Sequence, residues 1–592
     1  MKKECFDRCI RLIEVRLKKL QRSNGSWANN NFINALTAYS ISEMEVPKRM
    51  LNKSLDFILS RKKIGWSWNY CPEEKYPDDL DDTFCSLIAI HKIRPEIIDE
   101  TARANIADLL AHAEKEKNGP YFTWANGIWN DVDPIVNANI SCFAALSGAT
   151  MPNVTKYIDR CIGAGTFDSK YYHNPFLAYY FIARNYRGTK KAQLIRIIRN
   201  NLKKERLRKN KISGINEALA ACALVHLGQK SRDIYPLVKK IPKMDLTEAL
   251  YIEKISDGKT HYARSPAFTL AVCGEALSLY MKMARKINES KKKNRERKIG
   301  QKISRRIRLL AERRCTSMSQ PLRTEALTTL RKTLETDRHS TITLLPYRSV
   351  ISLSDRVFSA SLQTACVSCG LLSLYGWMAY SIYDRIIDGK ENSRMLPVAH
   401  AFHREMCLLY EKSSRTLGKE ISRIGDAIFD AMDCAELREI KNNLDGHTQF
   451  PSKRQTIEKS IGFLIPSTLA LVHAGLSPHG PDLKKYMRFF KHYIFIKQTS
   501  DDIRDWRDDM RNGIATRVTA RMVDADNSKS RKHVIVSSVH EIIEHTRLAR
   551  TALGSARSFS KDSFLFELID RHACTAEKIL KKMTSRTHKL DS

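Results

Sequence analysis

Three clusters of carboxylates carry most of the chemistry in this 592-residue chain. Two are Asp384-x-x-x-Asp388 and Asp501-Asp502-x-x-Asp505-x-x-x-Asp509, and the third is Asp79-Leu80-Asp81-Asp82-Thr83. Residues at i and i+4 share one face of a helix. Asp384 and Asp388 therefore present two carboxylates to one side, as do Asp501, Asp505 and Asp509, with Asp502 lying to one side of that row. Two such faces opposed across a bundle can hold hard divalent cations, Mg²⁺ above all, against the oxygens of a phosphorylated substrate. The upstream cluster suits another task. Carboxylates crowded together cannot all ionise, so one keeps its proton and can donate it.

For any single cluster the plain alternative is a solvated acidic helix face. The flanking sequence argues against it. The chain is basic overall, with 100 Lys and Arg against 65 Asp and Glu, a net charge of +35. Yet its acid is concentrated at the ends of apolar helices such as "GLLSLYGWMAYSIYD" and "YMRFFKHYIFIKQTSDD". An acidic end on an otherwise buried helix points to a cavity.

The elements that must position these residues are helices. Helical periodicity dominates, no long period-2 pattern stands out, and the chain reads as all-α. In the first half, apolar helices recur with room for one more polar helix between each pair. They are "NFINALTAYSI", "DDTFCSLIAIHKI", "DPIVNANISCFAAL", "NPFLAYYFIARNY", "INEALAACALVHLG" and "SPAFTLAVCGEALSLY". Six inner helices with six polar partners make an α/α barrel, and the acidic, Asn or Pro residues that open several of them suit capped ends on one rim. The division is a barrel over 1–285, a basic helical linker over 286–340 and a second helical domain over 341–592.

The positive charge favours polyanions. No zinc-finger, RRM or KH signature accompanies it, so nucleic acid is an unlikely partner, and an anionic membrane surface suits the dense basic run from Met283 to Arg314 better. No uninterrupted apolar run reaches about 18 residues, so no membrane-spanning helix is expected. The 14 cysteines are scattered through apolar helices, as small core residues of a reducing, cytoplasmic compartment are. Cys366-x-x-Cys369 reads as core packing for the same reason.

Gln21, Gly25 and Trp27 in "QRSNGSW" resemble the Q-x-x-x-G-x-W repeat of squalene-hopene and oxidosqualene cyclases. Asp79 to Thr83 is similar to the D-x-D-D-T motif of class II terpene cyclases, with weaker echoes in "GWSWNY" and "GPYFTW". The resemblance covers about residues 1–285. It implies that Asp81 is the proton donor, with Asp79 and Asp82 orienting it. Trp66, Trp68, Trp124 and Trp129 are then candidate walls of a carbocation pocket, and Asp133, Asn137 and Asn139 offer polar groups to the same rim.

The second half has its own likeness. "YDRIIDG" resembles the first Asp-rich motif of squalene and phytoene synthases, and "QTSDDIRDWRDDMRNG" resembles the second, with Gln498, Arg504, Asp505, Asp509 and Gly513 in register. Arg385 departs from the acidic residue that many relatives carry there. The family implies a class I isoprenoid synthase bundle in which Mg²⁺ joins Asp384, Asp388, Asp501, Asp502, Asp505 and Asp509 to a prenyl diphosphate, with Gln498 and Arg504 at the substrate. Arg348, Lys453, Arg454 and Lys459 are further candidate diphosphate contacts.

Both likenesses imply isoprenoid chemistry: a two-domain terpene synthase-like enzyme combining protonation at Asp81 with metal-dependent ionisation of a linear prenyl diphosphate. The alternatives are head-to-head prenyl transfer beside a structural barrel, or a non-enzymatic helical scaffold that binds anions and leaves its acidic clusters in solvent.

Overall fold

A computed structural model describes the chain except for residues 1, 71–77, 126–130, 166, 168, 170, 173, 208–213, 244–249, 257–258, 338–340, 355–357, 388, 445–450, 515, 524–527, 561–562 and 586–592. Two of the residues singled out above, Trp129 and Asp388, lie outside the described residues. Among the described residues the protein is all-α apart from one hairpin, and the chain divides into two compact units, Met1–Lys291 and Lys292–Ser592.

In the first unit, nearly wholly buried helices alternate with helices buried on one stripe. The buried ones are α2 (Asn31–Ser42), α4 (Leu80–Ile93), α6 (Pro134–Leu146), α8 (Pro175–Ala183) and α10 (Gly214–His226). Between them come α1 (Lys2–Leu20), α3 (Lys48–Ser60), α5 (Glu100–His112), α7 (Pro152–Ala164), α9 (Lys191–Leu207) and α11 (Ser231–Val238). In α7, for instance, Val154, Ile158 and Ile162 are buried at i, i+4 and i+8 while Lys156 and Arg160 remain outside the core.

Successive inner helices pack side by side from α2 to α10. The start of α12 (Pro266–Thr316) completes the ring. Tyr180 on α8 donates to Glu275 on α12 at 2.9 Å, and a Cβ added at Gly274 would meet Met44, just past α2, at 2.4 Å. A small residue at 274 is therefore what lets α12 close against the end of α2.

One feature differs from the sequence reading. Leu250–Ser256 and Lys259–Ser265 pair as an antiparallel hairpin, β1 and β2. The chain carries Asp257-Gly258 between them, a dipeptide favoured in two-residue hairpin loops. The stretch read as a basic helical linker, 286–340, is helical over 286–316 and 322–336. Within its basic run, Ile303, Ile307, Ala311 and Cys315 recur every fourth residue and enter the second core, so the run is one face of an amphipathic helix.

The second unit is a bundle of α13 (Leu322–Thr336), α14 (Thr341–Ile351), α15 (Ala360–Ile387), α16 (Leu396–Leu417), α17 (Lys419–Leu444), α18 (Lys453–Glu458), α19 (Leu464–His473), α20 (Pro481–Arg511), α21 (Arg517–Val523), α22 (Ser528–Gly554) and α23 (Phe564–Ser585). The two motif-bearing helices, α15 and α20, both pack against α19. By length and composition α15 could cross a membrane, but 67% of its most apolar window is buried inside the protein. Cys366 and Cys369 are buried free thiols on that helix.

The turn between α1 and α2 shows why its residue types recur. Gln21 donates to the carbonyls of Gly25 and Met50, each at 3.0 Å, and the Trp27 indole donates to Leu17 at 3.0 Å. Gly25 has φ +91°, and a Cβ there would lie 2.0 Å from the carbonyl oxygen of Lys53. Gly25→Ala is expected to destabilise the protein by about 2 kcal/mol or more, read as a lower urea midpoint at unchanged slope.

Candidate functional site

The inner helices of the first unit begin on a common plan. Asn30, Asp79, Asp133 and Asn174 cap α2, α4, α6 and α8, each side chain accepting a backbone N–H from the first turn. The fourth helical residue then holds an aromatic residue upstream. Asn34 accepts the N–H of Trp27 at 2.7 Å, Thr83 that of Trp68 at 3.0 Å, and Asn137 that of Tyr121 at 2.9 Å. Asn137 also donates back to the Tyr121 carbonyl at 2.9 Å, and Thr83 to that of Trp68 at 3.3 Å.

This repetition separates structural carboxylates from unusual ones. Asp79 does for α4 what Asn30, Asp133 and Asn174 do for their helices, and Thr83 does what Asn34 and Asn137 do. At the second and third helical positions the other three helices carry Phe32 and Ile33, Ile135 and Val136, and Phe176 and Leu177. Only α4 of these four places carboxylates there, Asp81 and Asp82, and both are buried. They are the residues that helix capping does not explain.

Asp81 sits in a buried polar chain. Asn139 on α6 donates to its Oδ1 at 2.8 Å, and the Tyr172 hydroxyl makes a short hydrogen bond to its Oδ2. Burial, then the Asp81 carboxylate, pushes the Tyr172 phenol well above its ordinary pKa, so Tyr172 stays neutral. Asn139 in turn accepts from Arg184 at 2.6 Å.

The backbones of Trp68 and Trp124 flank Asp79, and their indoles have partners of their own. Trp68 is fully buried and donates to the Ile58 carbonyl at 2.9 Å, as Trp27 does to Leu17. Both indoles thereby satisfy a carbonyl in the last turn of a helix. Trp66 lies edge-on to Trp68 beneath the Lys62 ammonium, and Trp124 donates to the Tyr171 hydroxyl at 3.0 Å.

In the second unit, α15, α17 and α20 bring carboxylates around one ammonium, Lys459, just past α18. Lys459 pairs with Asp384 of α15 at 2.9 Å and Glu439 of α17 at 2.8 Å. Its positive charge also reaches Asp502 of α20 and Glu436 of α17. Burial, with Asp509 next, pushes Asp502 up to about 7. Burial, with Asp433 next, pushes Glu436 up to about 7.

The face of α20 turned this way is not the expected one. Asp502 is the member sensed by Lys459, and Asp509 lies 4.0 Å from Lys390. Asp505 is exposed, and Asp501 pairs with the exposed Arg504 at 3.2 Å. A row at i, i+4 and i+8 drifts by about 80° around a helix, whereas i and i+7 stay within about 20°. Asp502 and Asp509 thus form the straighter row. Gln498, four residues before Asp502, donates to Ser460 beside Lys459.

The other candidate cations are engaged away from this cluster. Arg454 pairs with Glu458, Lys453 with Glu541, and Arg348 lies over Phe564. Glu436 and Glu439 escaped sequence reading because α17 carries no recurring motif. Their spacing to Asp433 at i, i+3 and i+6 was the available signal.

Beside Lys459 opens an apolar pocket. Trp377, Tyr380, Phe429, Met432 and Phe463 help to line it, and Lys459 is its one charged lining residue. Trp377, Tyr380 and Asp384 lie at i, i+3 and i+7 on α15, so one helical stripe runs from the aromatic wall to the carboxylate.

The donors suit a hard cation in kind, being oxygens only, with more carboxylates than ammonium groups around Lys459. Among the described residues, however, no three His, Cys, Asp or Glu side chains converge closely enough to hold a metal ion. Lys459 stands between them.

No family model matches the chain, and no curated protein matches it. Among solved structures it is similar to abietadiene synthase from Abies grandis, at 13% identity and a TM-score of 0.26, over 92% of this chain and 67% of that one. At that score the likeness decides nothing about function, and the chain's own residues have to.

The raised carboxylates fix a pH dependence. Between about pH 4 and 7 the native state keeps protons on Asp502 and Glu436 that the unfolded chain has released. Their contribution to stability therefore falls as pH rises through that window and levels off above it. A divalent cation competes with those protons. Mg²⁺ is thus expected to raise Tm more at pH 8 than at pH 5.5, in scans against NaCl at equal ionic strength.

Proposed function

We propose that the protein is a terpene synthase-like enzyme that ionises a linear prenyl diphosphate at the second unit. One observation carries this reading: an apolar, aromatic-lined cavity that ends at Lys459 and its ring of carboxylates. A hydrocarbon chain matches the apolar lining, and an anionic head group matches the ammonium at the rim.

The chain's own groups then have distinct tasks. Lys459 exchanges part of its pairing with Asp384 and Glu439 for the incoming phosphate oxygens. Gln498, through Ser460, holds the segment that carries Lys459. The cavity excludes water from the reacting carbon, and the faces of Trp377, Tyr380 and Phe463 stabilise positive charge that develops there. Asp384, Asp502 and Asp509, with Asp388 four residues beyond Asp384 in sequence, would hold Mg²⁺ only once phosphate oxygens draw Lys459 from between them. When bound, the ion supplies charge neutralisation of the departing diphosphate.

A second reading rests on the repeat comparison. Asp81 is a buried carboxylate at a position where three equivalent helices have apolar residues, which supports a role as the acid of a protonation-initiated cyclisation. Asn139 and Tyr172 orient it. The scaffold alternative expects its acidic clusters in solvent, and the burial of Asp81 and Asp82 counts against it.

Purified protein incubated with C10 to C25 prenyl diphosphates and Mg²⁺ should release diphosphate and yield terpene products from single substrates. Products of doubled carbon number would favour head-to-head transfer instead. Asp502→Asn and Asp384→Asn are each expected to lower diphosphate release by about a hundredfold or more, with circular dichroism unchanged. Full activity in both would overturn the assignment.

Asp81→Asn keeps the shape of the acid but delivers no proton. It should lower cyclisation by about a hundredfold or more while diphosphate release persists, shifting products toward acyclic ones. The same cyclic product at the same rate would make the first unit structural.

A further inference from the structure

Arg184, at the end of α8, is a buried cation with an incomplete set of partners. It is 2% exposed. Its Nη2 donates to Asn139, and its guanidinium lies over Tyr39, Tyr180 and Phe181 at 4.7, 5.3 and 4.8 Å from their centroids. Among the described residues, no carboxylate forms an ion pair with it, and its Nε and Nη1 have no hydrogen-bond acceptor. The last carbonyls of α8 favour a cation at this end, and the three rings add to that. Neither supplies acceptors for two buried N–H groups, which are costly to leave unmade.

Arg184 also lines a small pocket between α6, α7 and α8. Ser141, Thr155, Asn185 and the exposed Arg187 line it too. The pocket thus brings together a buried guanidinium with spare donors, a second guanidinium and hydroxyl and amide groups. That is the donor set an oxyanion needs.

We propose that this pocket binds a small phosphate-type oxyanion, inorganic phosphate or diphosphate, on Arg184 and Arg187. The anion accepts from the guanidinium face that Asn139 leaves free. Since Asn139 bridges Arg184 to Asp81, the anion and Asp81 lie at opposite ends of one hydrogen-bonded chain. The site is separate from the Lys459 cavity of the second unit and does not depend on any activity assigned to that cavity.

The test is calorimetric titration of the full-length protein with inorganic phosphate and, separately, diphosphate, without Mg²⁺ and at constant ionic strength. Saturable binding is expected in the unaltered protein. Arg187→Gln and the pocket-filling Ser141→Leu should each weaken it by about tenfold or more, whereas Lys459→Gln should leave it in place. Both pocket variants keep Arg184, so they test the site even if Arg184→Gln fails to fold. Comparison of the two anions tells whether one phosphate group suffices or two are required. Absence of saturable binding, binding indifferent to both pocket variants, or binding lost in Lys459→Gln would each overturn the proposal.

Discussion

Inner helices of the first unit begin inside the protein, where their leading N–H groups find little water to bond. Each therefore needs a side-chain acceptor at its cap, and four of them use Asn or Asp for it. The same constraint recruits the fourth helical residue to hold the incoming strand of chain, and the tryptophans to close the preceding outer helix. Much of what resembles a functional motif at this rim is thus the repeated solution to one hydrogen-bonding problem. Once that share is taken away, Asp81 and Asp82 stand out, two carboxylates where the pattern supplies hydrocarbon.

The second unit meets a different constraint, that of like charges on neighbouring helices. Asp384, Glu436, Glu439 and Asp502 approach one another from three helices, and a single ammonium from Lys459 serves them all. One positive charge cannot neutralise four negative ones, and part of the difference is met by protons held on Asp502 and Glu436. A site so balanced is receptive to further cations and also to an anion that arrives with its own.

The fold was largely legible because its signals are periodic. Six apolar helices at regular spacing correspond to α2, α4, α6, α8, α10 and the start of α12, and burial over nearly their whole surface explains their lack of a polar face. The hairpin at 250–265 was missed because it is a single pair of short strands without a sheet to support it. The basic run reads as a helical linker, and its packing into the second core was not legible because Ile303, Ile307, Ala311 and Cys315 are outnumbered by the charges around them. At the candidate sites, residue type was legible and direction was not. Asp384 could be picked out from sequence, but the preference of α20 for Asp502 over Asp505 depends on helix rotation. Lys459 was legible as one of four candidate cations but not as the one at the centre, and Glu439 comes from a segment whose only claim to notice is where the fold brings it.

The composition of α15 has a consequence for how the protein is made. Its 28 residues pass the length and hydropathy criteria of a membrane span, and in the finished protein its neighbours cover most of that surface. Those neighbours include α16 and α19, which follow it in the chain. On the ribosome α15 emerges before its cover exists, and for that interval it is an apolar segment open to lipid, chaperones or other nascent chains. Speed of synthesis and chaperone supply therefore bear on the yield of this protein more than its final stability would suggest.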